Sequence, residues 1–232
     1  MYYYGFDLWY IILVLPAVIL ALLASSNVNS TFQKYSKVAS HRGTTGADAA
    51  RQVLMANGVG GVKIERVSGN LTDHFDPKTN TIRLSDNVYA STSVAAIGVA
   101  AHEAGHAVQY AEGYAPIKIR SAIIPITNIG SNLAMPLILL GIILSFPSLA
   151  YIGVAAFGLS TFFQLVTLPV EFNASSRAIN TIESFAADES EVRGAKKVLR
   201  AAAMTYVAAL AVSLANLLRL LIIVGGNNRR RN

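Results

Sequence analysis

The sequence predicts an α+β, mostly α, integral membrane protein with about four membrane helices and a small sheet. Three observations predict it. Of the 232 residues, 53% are hydrophobic and only 14% charged, where an ordinary soluble domain carries about 25% charged residues. The apolar residues are gathered into long runs, and the mean hydropathy is +0.45. The polar stretches between the runs carry the signatures of two strands and of helices that are not membrane spans.

Residues 8–24 form the first apolar run, bounded by Asp7 and long enough to span a bilayer. No Lys or Arg precedes it, so an uncleaved membrane helix is expected over residues 1–26; cleavage at Ala24-Ser25-Ser26 is the alternative. Thr45, with Asp48 three residues on, marks a helix start, and Asn57-Gly58 its end. Residues 62–67 alternate with period two and read as a strand. The turn at residues 76–80 leads to a second strand, residues 81–85. Residues 91–113, rich in Ala and Val and free of Pro, read as a helix. Two further apolar runs, residues 129–146 and 149–169, are separated by Pro147-Ser148 and form a membrane hairpin, with Pro136 expected to kink the first. Polar residues return over 171–200, and a last apolar run, residues 201–224, carries Arg219 within it. The expected modules are residues 1–26, 27–128, 129–170, 171–200 and 201–232.

The absence of cysteine excludes disulfide stapling and thiolate metal sites, so a metal must be held by His, Asp or Glu. The net charge of +6 is scattered or sits beside apolar segments, ending in Arg229-Arg230-Arg231. That distribution suits a bilayer with anionic lipid rather than a nucleic-acid groove.

The chemistry lies within residues 91–113. His102, Glu103 and His106 form a His-Glu-x-x-His pattern that uses two of only four histidines. Positions i and i+4 share a helix face, so both imidazoles reach one metal ion, while Glu103 reaches a water without ligating the metal. Zinc lowers the pKa of such a water to about 7, and a carboxylate takes its proton. The small Ala104 and Gly105 permit close neighbours. The plain alternative is a pair of ordinary helix histidines. A catalytic zinc needs a third protein ligand. His41 and His74 lie upstream, and Glu171, at the end of an apolar run, is the best downstream candidate. Two spans separate His106 from Glu171, so both emerge on one side of the membrane. On position alone, a charge terminating a membrane helix explains Glu171 as well.

Four stretches carry a resemblance over nearly the whole chain: Leu71-Thr72-Asp73-His74-Phe75-Asp76-Pro77, Val99-Ala100-Ala101-His102-Glu103-Ala104-Gly105-His106, Leu168-Pro169-Val170-Glu171-Phe172-Asn173-Ala174-Ser175, and Ala201-Ala202-Ala203-Met204-Thr205-Tyr206-Val207-Ala208-Ala209. With them the sequence resembles the YugP-type membrane zinc metallopeptidases, similar in site architecture to HtpX-type proteases. The resemblance implies a zincin-like module, one Zn2+ per chain held by His102, His106 and Glu171, and Glu103 as general base. Ser175 stands where the HtpX pattern has Asp, so Ser175, Asn173 or Asp188 is left to orient a ligating histidine.

Weaker candidates are His74 for substrate or oxyanion, with a solvated loop histidine as the plain alternative, and Tyr110 or Tyr114 as oxyanion donors, with helix packing as the default. The strand over 81–85 is read either as an edge that pairs with an extended substrate or as a structural strand. Arg219 would anchor a carboxylate or lipid, or make a buried pair.

The expected function is a membrane-embedded zinc metalloendopeptidase acting on protein or peptide substrates. The alternatives are an intramembrane protease and a non-enzymatic zinc-binding scaffold. Residues 94–101 are too short an apolar run to place the motif inside a span, and a structural zinc site has no use for Glu103. Lys34, Lys37, Lys196, Lys197 and Arg200 place the site side in the cytoplasm, although the terminal arginines then fall outside, against the rule.

Overall fold

The computed structural model describes residues 2–3 and 6–229. A two-residue ribbon, β1 (Tyr2–Tyr3) against β2 (Phe6–Asp7), precedes a π-helical turn (Tyr10–Val14) that runs into α1 (Leu15–Tyr35). There follow α2 (Gly46–Ala56), β3 (Lys63–Val67), β4 (His74–Asp76), β5 (Thr81–Ser85), α3 (Asp86–Tyr89) and α4 (Val94–Ala111). Three long helices complete the chain: α5 (Ala115–Ile143), α6 (Pro147–Phe185) and α7 (Glu189–Arg229). Arg230 and Arg231 of the basic tail lie outside the described residues. Helix dominates and the sheet is small, as expected from the apolar runs, the alternating segment 62–67 and the strand after the turn at 76–80.

Four helical stretches are long and apolar enough to cross a membrane: Tyr10–Tyr35, Ala115–Ile143, Pro147–Phe185 and Glu189–Gly226. They are longer than the apolar runs because each continues as helix into polar sequence. Pro169 does not end α6, and Pro125 and Pro136 lie inside a continuous α5.

The chain divides into two compact units. The first comprises Met1–Leu23, Ile119–Leu168 and Thr205–Asn232. Its helices approach through small residues: a Cβ on Gly153 would lie 2.7 Å from the Ala134 carbonyl oxygen, and one on Gly141 would be closer still to the Ala150 backbone. Such contacts replace hydrophobic driving force where the surroundings are apolar. Ile138, Ala150, Val154, Leu220 and Val224 form its buried cluster. Arg219 donates to Asp7 at 2.7 Å, resolving its role as a paired charge.

The second unit comprises Ala24–Lys118 and Pro169–Met204. Its helix α2 begins with a capping box in which Asp48 N–H donates to Thr45 Oγ1 and Thr45 N–H to the Asp48 carboxylate, and it ends at Asn57, followed by Gly58 at φ 67°. The sheet has the order β3-β5-β4, β3 parallel and β4 antiparallel to β5. The strand over 81–85 is therefore central, paired on both sides, which removes it as a substrate edge. The edges are β3 and the unexpected strand β4. Strand β5 is buried except at Arg83, and Ile82 and Leu84, fully enclosed, pack in one core with residues of α2 and α4.

Candidate metal centre

Helix α4 starts at Ser93, whose side chain accepts from Ala96 N–H, and its Ala-rich length is almost entirely buried. Alanine costs little entropy in a helix and leaves room for neighbouring backbones. That room is used at Gly105: a Cβ there would sit 2.6 Å from the Ala174 carbonyl oxygen of α6. The backbones of α4 and α6 therefore meet beside the motif, which brings Glu171 and Ser175, on the same stretch of α6, against His102 and His106.

Glu171 Oε2 lies 3.2 Å from His102 Nε2 and 3.5 Å from His106 Nε2. The two rings stand edge to face, with centroids 4.6 Å apart. Three ligand atoms, one from each residue, lie within 4.8 Å of one another. Glu171 is 2% exposed, and a carboxylate so buried needs a compensating cation or donor set.

The far nitrogens of the histidines are also held. His102 Nδ1 is 3.1 Å from Ser175 Oγ. His106 Nδ1 is 3.0 Å from Gln109 Oε1. The amide of Gln109 is oriented by its other end, where Nε2 donates to the Val170 carbonyl at 2.8 Å and to Asn173 Oδ1 at 2.9 Å. With its amide so turned, Gln109 presents an acceptor, so His106 Nδ1 carries hydrogen and a neutral His106 keeps its Nε2 lone pair towards Glu171. Asn173 also accepts from Arg177, which pairs with Glu112 at 2.6 Å and holds that carboxylate below its usual range. Burial pushes His106 towards neutrality, but its bond to Glu171 and the charge of Glu103 outweigh it and raise its pKa. The pocket thus favours positive charge.

Glu103 is half-buried on the same helix, and its Oε2 accepts from Phe75 N–H at 3.1 Å. That amide belongs to edge strand β4, so the strand edge and the carboxylate are neighbours. The Phe75 ring in turn stands edge to face with Tyr110, centroids 5.7 Å apart.

The sequence-predicted candidates therefore separate. His102, His106, Glu171 and Ser175 come together, Glu103 joins them from the next position on α4, and Asn173 is reached through Gln109. His74 is exposed at the start of β4, with Nδ1 2.8 Å from the Thr72 carbonyl of the preceding loop. His41 and Asp188 pair elsewhere at 3.3 Å, where Asp188 also caps α7 and Glu191 accepts from His41 N–H. Tyr114 starts the link to α5, its N–H bonded to the Gln109 carbonyl. Gln109 and the Phe75 amide escaped the sequence reading. The spacing of Gln109, three residues after His106 on one helix face, was the available signal; a backbone amide leaves none.

Helices long and apolar enough to cross a membrane, together with a His, His, Glu cluster that could hold a metal ion beside the Glu103 carboxylate, are the features of a membrane metalloprotein class. The chain belongs to the family described as "Putative neutral zinc metallopeptidase", which it matches over residues 10–225. It is 47% identical over 216 residues to the protein named "Putative membrane protease YugP" of Bacillus subtilis (strain 168), covering 92% of this chain and 96% of that one. No solved structure matches the chain.

Proposed function

We propose that the chain is a multi-pass membrane zinc metalloendopeptidase with a zincin-like, gluzincin-type site. The observation that carries this reading is the convergence of His102 Nε2, His106 Nε2 and Glu171 Oε2 from two helices, with each far ring nitrogen held. The donor set suits zinc: two imidazoles and a carboxylate, with protein ligands enough for a catalytic site and a further position left for water or substrate. His102, His106 and Glu171 would hold one ion. When bound, zinc supplies Lewis-acid activation of water and of the scissile carbonyl.

The chain's own groups do the rest. Ser175 and Gln109 fix the ring orientations and keep both Nε2 atoms available. Glu103 Oε2 takes a proton from the attacking water and returns it to the leaving amine. Strand β4, whose Phe75 amide meets Glu103, offers an edge along which an extended peptide lies beside that carboxylate.

Two features favour this reading over its alternatives. The motif helix is 18 residues long and is not among the four apolar helices, unlike the core of an intramembrane protease. A scaffold has no use for a carboxylate placed as Glu103 is. The catalytic module is taken as residues 27–128 completed by 171–200, and the flanking lysines favour a cytoplasmic site.

The test is cleavage of casein by the detergent-solubilised, zinc-loaded chain beside Glu103→Gln. The reading expects cleavage by the wild type that chelator abolishes, and none by the variant. Equal cleavage by both would refute it.

A further inference from the structure

On the second unit, with none of the His and Glu cluster in its lining, one face of α1 and one face of α7 line an open cavity of ≈ 310 Å³. The first contributes Asn27, Thr31, Lys34 and Tyr35, and the second Lys197, Arg200, Ala201 and Met204. The spacings, 27, 31, 34 and 197, 200, 201, 204, are those of single helix faces. Three cations line this space and no carboxylate does. Among the described residues Lys34, Lys197 and Arg200 make no ion pair, whereas Arg51, Arg66, Arg83, Arg177 and Arg193 each have a carboxylate partner. Lys34 Nζ is held 5.6 Å over the Tyr35 ring instead. Three like charges lining one cavity, with no carboxylate among them, give it a positive field that favours an anion.

The position adds a second constraint. The apolar run of α1 ends at Ala24, one turn before Asn27, and that of α7 begins at Ala201, directly after Arg200. Lys197 and Arg200 thus stand at the polar end of the α7 apolar stretch, Lys34 faces them from about three turns beyond the end of the α1 stretch, and Ala201 and Met204 supply apolar lining beside them. Charged donors, with an amide and two hydroxyls, suit phosphate oxygens, and the apolar lining suits the glycerol and first methylenes of a lipid.

We infer that this pocket binds a phosphate group, presented either as an anionic phospholipid headgroup or as a soluble phosphate. Short-chain phosphatidylglycerol, short-chain phosphatidylcholine and inorganic phosphate are each titrated onto the full detergent-solubilised chain and read by native mass spectrometry. The comparison pair is Lys197→Gln with Arg200→Gln, against Lys37→Gln with Lys196→Gln, which removes the same charge from neighbouring exposed positions outside the cavity. Saturable phosphatidylglycerol binding that weakens at least about tenfold in the first pair alone supports the site and identifies a lipid headgroup. The same pattern with inorganic phosphate and not phosphatidylglycerol also supports it and identifies a soluble ligand. Equal weakening in both pairs, no weakening in either, or equal binding of phosphatidylcholine overturns it. Thermal unfolding of each variant, expected to match the wild type at these exposed helix positions, separates lost binding from lost fold.

Discussion

Two helix contacts in this molecule use the same device for different ends. In the first unit Gly153 lets α6 approach α5, and an added Cβ would lie 2.7 Å from the Ala134 carbonyl oxygen. In the second unit Gly105 lets α4 approach α6, and an added Cβ would lie 2.6 Å from the Ala174 carbonyl oxygen. The first contact is followed by apolar packing around Ile138 and Val154. The second is surrounded by His102, His106, Glu171, Ser175 and Gln109. Close backbone approach is thus a neutral tool: what the neighbouring positions carry decides whether it makes a membrane bundle or a chemical centre.

The comparison can be broken in several ways, the largest effect first. Glu103→Gln leaves the ligands in place, so zinc content, read by elemental mass spectrometry, stays while cleavage falls by roughly 10²–10⁴. Gly105→Ala and Gly153→Ala face near-identical clashes, each of which costs about 1–3 kcal/mol of overpacking. Thermal unfolding should register both, but only Gly105→Ala should lower zinc retention in chelator competition. Loss of zinc in both would mean that the site answers to general destabilisation. Gln109→Leu unties His106 Nδ1 and should weaken zinc binding about 10–100-fold with the fold intact; unchanged affinity would leave Gln109 a packing residue.

The smaller effects concern the sheet and α2. Asp76 accepts from Thr79, Arg83 and Lys78, which hold its carboxyl well below the usual range. A depressed folded pKa stabilises above the unfolded value, and that contribution is lost as pH falls through the folded one. Acid titration of the wild type should therefore lose stability below about pH 4, and Asp76→Asn should flatten that slope. An unchanged slope would move the acid sensitivity elsewhere. Thr45→Ala removes one side of the α2 capping box and should cost about 1 kcal/mol in denaturant unfolding, with zinc binding untouched.

Much of this architecture was legible in the sequence because the signals were local. The capping residues Thr45 and Asp48, the period-two segment 62–67, the turn before residues 81–85 and the apolar runs each report on a few neighbouring residues. The i, i+4 histidines are local in the same sense. Glu171 lies 65 residues beyond His106, and only its placement after two spans and the family resemblance pointed to it. The rest depended on tertiary packing. Strand β4 is three residues long, too short for a periodic pattern, so residues 81–85 were left open between a substrate edge and a structural strand, and the strand is central. The apolar run ends at Pro169, yet α6 runs through it, and Val170, Ala174 and Ala178 of the continuation are fully buried. Gln109 became visible only when its amide was seen to join Val170, Asn173 and His106.

The central claim is that His102, His106 and Glu171 hold one zinc ion. Its most direct test is the zinc content of the purified full-length chain and of Glu171→Gln after competition with a calibrated chelator. About one zinc per chain in the wild type, and loss of it from a still-folded variant, is the predicted result. Retention of zinc by Glu171→Gln with wild-type affinity would contradict the account and place the third ligand elsewhere.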